Sequence, residues 1–276
     1  QKHLVGRKIE AVDVRMPKIF IGDVQNVIGA TVQEVRRFGK GLVIDLDNGY
    51  SMAVHVKMTG QLVVVRVPRV SRVPQVPRAF PKHTHVIFKL APSPLRGEGW
   101  GEGEKGAYLY YNDVRRFGWI KVLKTEEIPD LPFFKSLGLE PLRDLTIEKF
   151  KIILKNNKTP IKSLLMDQQK IAGIGNIYAC DVLYFAKIHP TRSSSSLQDE
   201  EAALLFSAIE EILRKSIRVG GASANNYVNA LGERGAYQDY FLVYKKEGEP
   251  CVNCGSLILR VKTGGRSTYF CEICQK

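Results

Sequence analysis

A chain of 276 residues has room for one large domain or two ordinary ones, and its hydrophobic fraction of 44% excludes a disordered polymer. No apolar run reaches the roughly 18 residues that a membrane span needs, and no secretory segment is visible. Forty-one Lys and Arg against 28 Asp and Glu leave a net charge of +13, which points to a polyanionic partner, with nucleic acid foremost. A basic protein with a solvated surface is the alternative on charge alone. The chain opens on Gln1, not Met, so it reads as processed or as a piece of a longer product.

Through residue 124 the chain reads as β structure. Short runs rich in Val and Ile recur at 8–14, 31–38, 41–46, 51–56, 61–65, 85–90, 108–112 and 118–123, with turn residues between them. That pattern fits an antiparallel sandwich or barrel, and a β-sandwich over residues 1–124 is the expected N-terminal domain. Residues 91–107 are Gly-rich and aperiodic and read as an insertion; Glu98, Glu102 and Glu104 would repel phosphates. Residues 125–142 carry Pro129, Pro132 and Pro141 and read as a linker. The period then turns helical at 147–154, 161–166, 175–186 and 198–218, within a helical domain expected at 143–240. In the last of these runs Leu204, Leu205, Ile209, Ile212 and Leu213 read as one apolar side, and Gly220-Gly221 stops it. The fold class expected is therefore multidomain α+β.

The final segment, 241–276, holds four of the five cysteines as Cys251-x2-Cys254 and Cys271-x2-Cys274. Two such knuckles across a hairpin are the ligand set of a structural zinc ribbon, with four thiolates around one Zn2+. Two disulfides are the alternative reading. Cys180 falls in a helical run and reads as a small buried residue. Reduced cysteines without an export signal imply the cytoplasm.

The run Met166-Asp-Gln-Gln-Lys-Ile-Ala-Gly-Ile-Gly-Asn-Ile-Tyr-Ala-Cys-Asp181 breaks one helix at Gly173-x-Gly175 and starts another near Asn176. Backbone N–H groups at such a start can approach a phosphate, and Asn176 adds a side-chain donor. A tight helix–helix turn that uses glycine for geometry alone is the alternative. This run resembles the helix-two-turn-helix of the formamidopyrimidine-DNA glycosylase and endonuclease VIII family, and the terminal ribbon resembles that family's zinc finger. His55-Val-Lys-Met-Thr-Gly60 is similar to its wedge-loop segment, and Asp113-Val-Arg-Arg-Phe-Gly118 to its second intercalating loop. Leu139-Glu-Pro-Leu142 is similar to the segment after its interdomain linker. The Arg-Arg-Phe-Gly run and the long loop after Gly221 favour the branch that acts on 8-oxoguanine and formamidopyrimidines.

The resemblance implies base-excision repair on double-stranded DNA with oxidised bases or abasic sites, by a monomer in a bacterial, nucleoid-associated setting. Met58, Arg115 and Phe117 would fill the hole left by a flipped nucleotide. His83, Lys158, Asn176 and Arg266, with Arg115, would contact DNA. Lys40 would assist glycosidic cleavage and β-elimination, and Arg266 δ-elimination. The nucleophile implied is an N-terminal proline beside a glutamate, and neither is in this chain. The expectation is that residues 1–276 as they stand bind damaged DNA without excising bases. Lys40, Lys57 or the Gln1 amine would at most trap an abasic aldehyde slowly. A catalytically dead lesion-binding zinc protein is the runner-up, and an unrelated zinc-ribbon protein of transcription or translation is a third reading. His83 and His85 share a strand face and raise a second metal site, though without a carboxylate partner. The loop 222–234, with Ser223, Asn225, Asn226 and Tyr227, lies where the family grips the flipped base.

Overall fold

The computed structural model describes residues 1–68, 82–92, 104–224 and 227–276. The chain divides into two compact units, Gln1–Lys135 with Ala222–Gly235, and Ser136–Gly221 with Ala236–Lys276. Most of the segment read as an insertion, and Asn225 and Asn226, lie outside the described residues.

The first unit contains β1 (Ile9–Val14), β2 (Phe20–Ile21), β3 (Val32–Phe38), β4 (Gly41–Leu46), β5 (Tyr50–His55), β6 (Gly60–Pro68), β7 (Thr84–Leu90), β8 (Glu104–Asp113) and β9 (Trp119–Lys124). Its described strands form two sheets, ordered β1-β7-β8-β6 and β2-β9-β5-β4-β3. The pairing of β2 with β9 is parallel, unlike the antiparallel ladders around it. Two residues are too few for a periodic signal, so the sequence gives no hint of β2. The β8 strand starts inside the Gly-rich stretch, at Glu104. Gly106 permits this: it sits at φ 142, and a Cβ there would stand 2.7 Å from the Leu90 carbonyl oxygen.

The core lies between the sheets. Val86, Phe88 and Leu90 of β7, with Leu109 and Tyr111 of β8, pack in one cluster with Ile44, Leu46, Met52, Val54 and Ile120. Alternate residues of a strand share a face, which is why these positions are two apart. Burying each large side chain of this kind stabilises the fold by about 1.5–3 kcal/mol. The opposite face of β4 and β5 is also covered, because Val43 and Ala53 pack with Ile128, Trp119 and Phe134. The stretch 125–142 thus divides. A 3-10 turn at Thr125–Asp130 and α1 (Pro132–Lys135) belong to the first unit, and the second unit starts at Ser136. Gly41 lets these aromatics lie on the strand, since a Cβ would meet the Phe133 and Phe134 rings at 2.6 and 2.8 Å.

The second unit contains α2 (Ile147–Lys155), α3 (Ile161–Met166), α4 (Asn176–Phe185), α5 (Asp199–Arg218) and a hairpin of β10 (Leu259–Thr263) with β11 (Arg266–Phe270). A capping box starts α5, with Glu201 Oε2 accepting from the Gln198 backbone N–H at 2.9 Å. Acidic residues fill its first turn and Lys215 and Arg218 its last, as the helix dipole favours. Its buried face is Ala202, Leu205, Ala208, Ile209 and Ile212, whereas Leu204 is 62% exposed. Leu204 and Leu205 are adjacent, about 100° apart on the helix, and both cannot face the core. The buried Asp181 of α4 accepts hydrogen bonds from the backbone N–H of Val243 and Tyr244 and from the Tyr237 hydroxyl. Those bonds tie α4 to the chain that enters the hairpin. Among the described residues no helix is long and apolar enough to cross a membrane.

Candidate nucleic-acid interface and metal centre

The ligand atoms of Cys251, Cys254, Cys271 and Cys274 lie within 4.8 Å of one another. Sulfur–sulfur separations of 3.5 Å (Cys254–Cys271) and 3.8 Å (Cys251–Cys274) lie close to the spacing of about 3.8 Å that four thiolates take around zinc at Zn–S of about 2.3 Å. A disulfide needs about 2.05 Å, so the disulfide alternative falls. Each knuckle closes on its own backbone, with Gly255 N–H donating to the Cys251 carbonyl at 2.8 Å and Gln275 N–H to the Cys271 carbonyl at 3.0 Å. The Tyr184 hydroxyl lies 3.1 Å from Cys251 Sγ and supports that ligand from α4. These residues fit one structural zinc. Among the described residues this is the only cluster of three or more such ligands. His85 Nε2 is occupied by the Asp113 carbonyl oxygen at 2.8 Å, which leaves the His83 and His85 pair without support as a metal site. Cys180 is buried in the cluster beside the ribbon, and burial pushes its thiol pKa up.

In the first unit the three side chains expected to fill a DNA hole come together. Arg115 Nη1 donates to Met58 Sδ at 3.0 Å, and the Arg115 guanidinium lies 4.7 Å from the centre of the Phe117 ring. Met58 is 59% and Phe117 56% exposed, so neither is a core residue. Two large apolar side chains held in solvent by a cation form a wedge that has no purpose in packing. Gly118 sets the second loop. A Cβ there would overlap the Tyr111 hydroxyl and stand 2.7 Å from the His55 carbonyl oxygen.

His55 lies beneath the first loop. Its Nδ1 accepts from the Lys57 backbone N–H at 2.9 Å, and its ring packs edge-on against Phe133 at 4.7 Å. Burial first, then the charges of Lys57 and Lys40, push its pKa down to about 4. Lys40, on the β3–β4 turn, and Lys57 therefore both lie within electrostatic reach of this imidazole. His83 precedes β7, and its Nδ1 has no hydrogen-bond partner.

The second unit holds the remaining expected contacts. Gln168 stitches the Gly-Ile-Gly turn: its Oε1 accepts from Gly173 N–H at 2.9 Å, and its Nε2 donates to the Met166 and Ile174 carbonyls. Gly173 needs its φ of 99, which glycine adopts freely. No side chain caps the start of α4, and a helix start of this kind favours an anion. Asn176 does more than offer a donor. Its Nδ2 holds the Ser267 carbonyl at 3.0 Å, beside Arg266. Lys162, fully buried, donates to the same carbonyl at 2.9 Å and to Thr268 Oγ1 at 2.7 Å. The exposed Arg266 thus stands on a strand pinned from α3 and α4. Lys158 is exposed in the turn between α2 and α3.

The loop 222–235 packs with the first unit, where Val64 N–H donates to the Ala230 carbonyl at 2.7 Å. Ser223 is not open to a base. It is fully buried, and its hydroxyl donates to the Tyr227 carbonyl and accepts from Gly235 N–H. Tyr227 is 49% exposed and, with Val228–Ala230, borders a cavity of about 290 Å³. Leu42, Ile44, Leu62, Val64 and Leu109 give that cavity mainly apolar walls, which offer few hydrogen bonds to a purine edge. For Lys162, Gln168, Thr59 and Asp113 the sequence alone indicates no role. The one signal for Lys162 is a lysine on an otherwise apolar helical stretch, and for Asp113 an aspartate opening a turn that ends in glycine.

Known proteins resemble this chain along most of its length. Residues 1–120 match the formamidopyrimidine-DNA glycosylase N-terminal domain, 137–228 its H2TH domain, and 248–276 the zinc finger found in FPG and IleRS. The formamidopyrimidine-DNA glycosylase of Pelotomaculum thermopropionicum is 38% identical over 282 residues, covering 100% of this chain and 94% of that protein. That of Rickettsia massiliae is 39% identical over 250 residues, covering 90% and 81%. The structure of Lactococcus lactis Fpg with DNA containing an abasic site superposes with a TM-score of 0.85 at 31% identity, covering 100% of this chain and 94% of that one. The wild-type Lactococcus lactis Fpg complex with DNA containing N7-benzyl-Fapy-dG gives 0.84 at 32% identity, with the same coverage.

Proposed function

The chain belongs to the formamidopyrimidine-DNA glycosylase family, and from that membership we propose that it acts in base-excision repair on double-stranded DNA. Its substrates are oxidised purines, 8-oxoguanine and formamidopyrimidines, and abasic sites, and its activity is that of a DNA glycosylase and abasic-site lyase. The observation that carries this reading is the exposed assembly of Met58, Arg115 and Phe117. Extracting a nucleotide costs a few kcal/mol of stacking and pairing, and apolar wedges with an arginine offset that cost by occupying the gap.

The residue roles follow from chemistry. Arg115, between two apolar groups, has N–H donors for an orphaned base, while Met58 and Phe117 take the place of lost stacking. His83, Lys158, Asn176 at the start of α4, and Arg266 hold phosphates, which adds affinity without sequence preference. Lys40, within electrostatic reach of His55, assists cleavage of the glycosidic bond and β-elimination. Arg266 also assists δ-elimination, and zinc keeps its hairpin rigid. The division of labour we propose gives residues 1–124 the lesion chemistry, 143–240 the grip on the backbone and 241–276 the metal-stapled contact, with 125–142 linking them. A monomer in the bacterial cytoplasm, at the nucleoid, suits a basic protein whose four cysteines are arranged to ligate a metal.

The test is competition for a labelled duplex that carries a tetrahydrofuran abasic analogue. Unlabelled duplexes with tetrahydrofuran or 8-oxoguanine should compete at least about tenfold better than plain duplex, a difference of about 1.4 kcal/mol. Equal competition by all three would refute the reading.

A further inference from the structure

The wedge is built from two separate loops. Residues 56–60 carry Met58, and residues 113–118 carry Arg115 and Phe117. One buried carboxylate joins them. Asp113 is 1% exposed, and its Oδ1 accepts from the Thr59 hydroxyl at 2.5 Å and from Arg115 N–H at 3.2 Å. Its Oδ2 accepts from Gly118 N–H at 2.8 Å. The Thr59 hydroxyl oxygen in turn accepts from Arg115 N–H at 3.0 Å. Burial pushes the Asp113 carboxyl up, but the bonds from Thr59, Gly118, Arg115 and Arg116 outweigh it and hold the group below the usual carboxylate range. Each loop also passes through a left-handed non-glycine residue, Lys57 at φ 52 and Arg116 at φ 58. Such backbone persists only where its surroundings hold it.

We infer that Asp113 and Thr59 are positioning residues that clamp the two loops into one preformed wedge, so that Met58, Arg115 and Phe117 enter DNA as a unit. This rests on the hole-filling role proposed above for those three side chains. Asp113 is too buried to touch the duplex, and it acts through the backbone N–H groups it orients. Without the hydroxyl bridge the loops would have to be ordered at the moment of insertion, and that cost falls on hole filling alone. Affinity for phosphates in general would be spared.

The experiment measures Kd for a tetrahydrofuran duplex and for a plain duplex at one salt concentration, in the native protein, Thr59→Val and Thr59→Ser. Valine keeps the shape and removes the hydroxyl; serine keeps the hydroxyl. The ratio of the two affinities should fall about tenfold in Thr59→Val, the scale of losing a hydrogen bond to a charged group, and stay within about twofold in Thr59→Ser. A merely structural role would weaken both duplexes alike and leave the ratio unchanged. An unchanged ratio in Thr59→Val, or an equal fall in Thr59→Ser, overturns the clamp while leaving the proposed function standing. A native protein that does not discriminate overturns both.

Discussion

Acid should loosen the first unit through His55. The imidazole is 7% exposed, accepts the Lys57 N–H at Nδ1 and packs on Phe133. Its folded pKa, about 4, lies below the unfolded value of 6.5. The unfolded chain therefore takes the proton first as pH falls. Stability is complete above 6.5, declines through the window from 6.5 to 4, and loses nothing more below it. Between pH 7.5 and 4.5 this linkage costs roughly 2–3 kcal/mol from the two values. His55→Asn places an amide oxygen near the Nδ1 position and removes the titration. The variant loses ring packing and should be less stable at pH 7.5, yet its stability should fall less over the same window. Trp119 lies on β9 of the first unit, so urea unfolding followed by fluorescence excited at about 295 nm reports on that unit. His3 is also held below its ordinary value by burial and neighbouring cations and contributes with the same sign, which the comparison of the two proteins removes. Equal slopes for native protein and His55→Asn would refute this account of His55.

Other perturbations reach other parts of the molecule. Metal analysis should give one zinc per chain, and chelation should unfold the β10–β11 hairpin and weaken DNA binding; unchanged binding after complete removal would contradict the role given to the ribbon. Arg266→Ala should weaken binding to all duplexes alike and reduce the dependence of log K on log salt by about one, measured by titration at several salt concentrations. Gly118→Ala should destabilise the first unit by about 1–3 kcal/mol, because its Cβ would overlap the Tyr111 hydroxyl and crowd the His55 carbonyl. Adding Tyr111→Phe should recover part of that loss in the same urea assay, and no recovery would place the strain elsewhere.

The sandwich and the helices were legible because their cores follow simple periods. Val86, Phe88 and Leu90 alternate, and Leu205, Ile209 and Ile212 recur at helical spacing. The cysteines were legible because zinc fixes their spacing. What stayed hidden has other causes. The two-residue β2 carries no period, and the prolines of 125–142 mark a linker without showing that Ile128 and Phe134, within it, seal the outer face of β4 and β5. Leu204 was misplaced because adjacent leucines cannot be ranked by pattern alone. The trio Met58, Arg115 and Phe117 was visible through resemblance, but the reason it holds together was not. Asp113 acts on backbone N–H groups, and Lys162 on a carbonyl more than a hundred positions away. Local sequence can mark such residues as unusual, but it does not name their partners.

The central claim is that Met58 and Phe117 occupy the gap in damaged DNA. A 2-aminopurine placed beside a tetrahydrofuran site brightens when it is unstacked, so its fluorescence follows insertion directly. Saturating native protein should raise that signal, and the Met58→Ala/Phe117→Ala double variant, bound to the same saturation, should not. An equal rise from both proteins would contradict the claim.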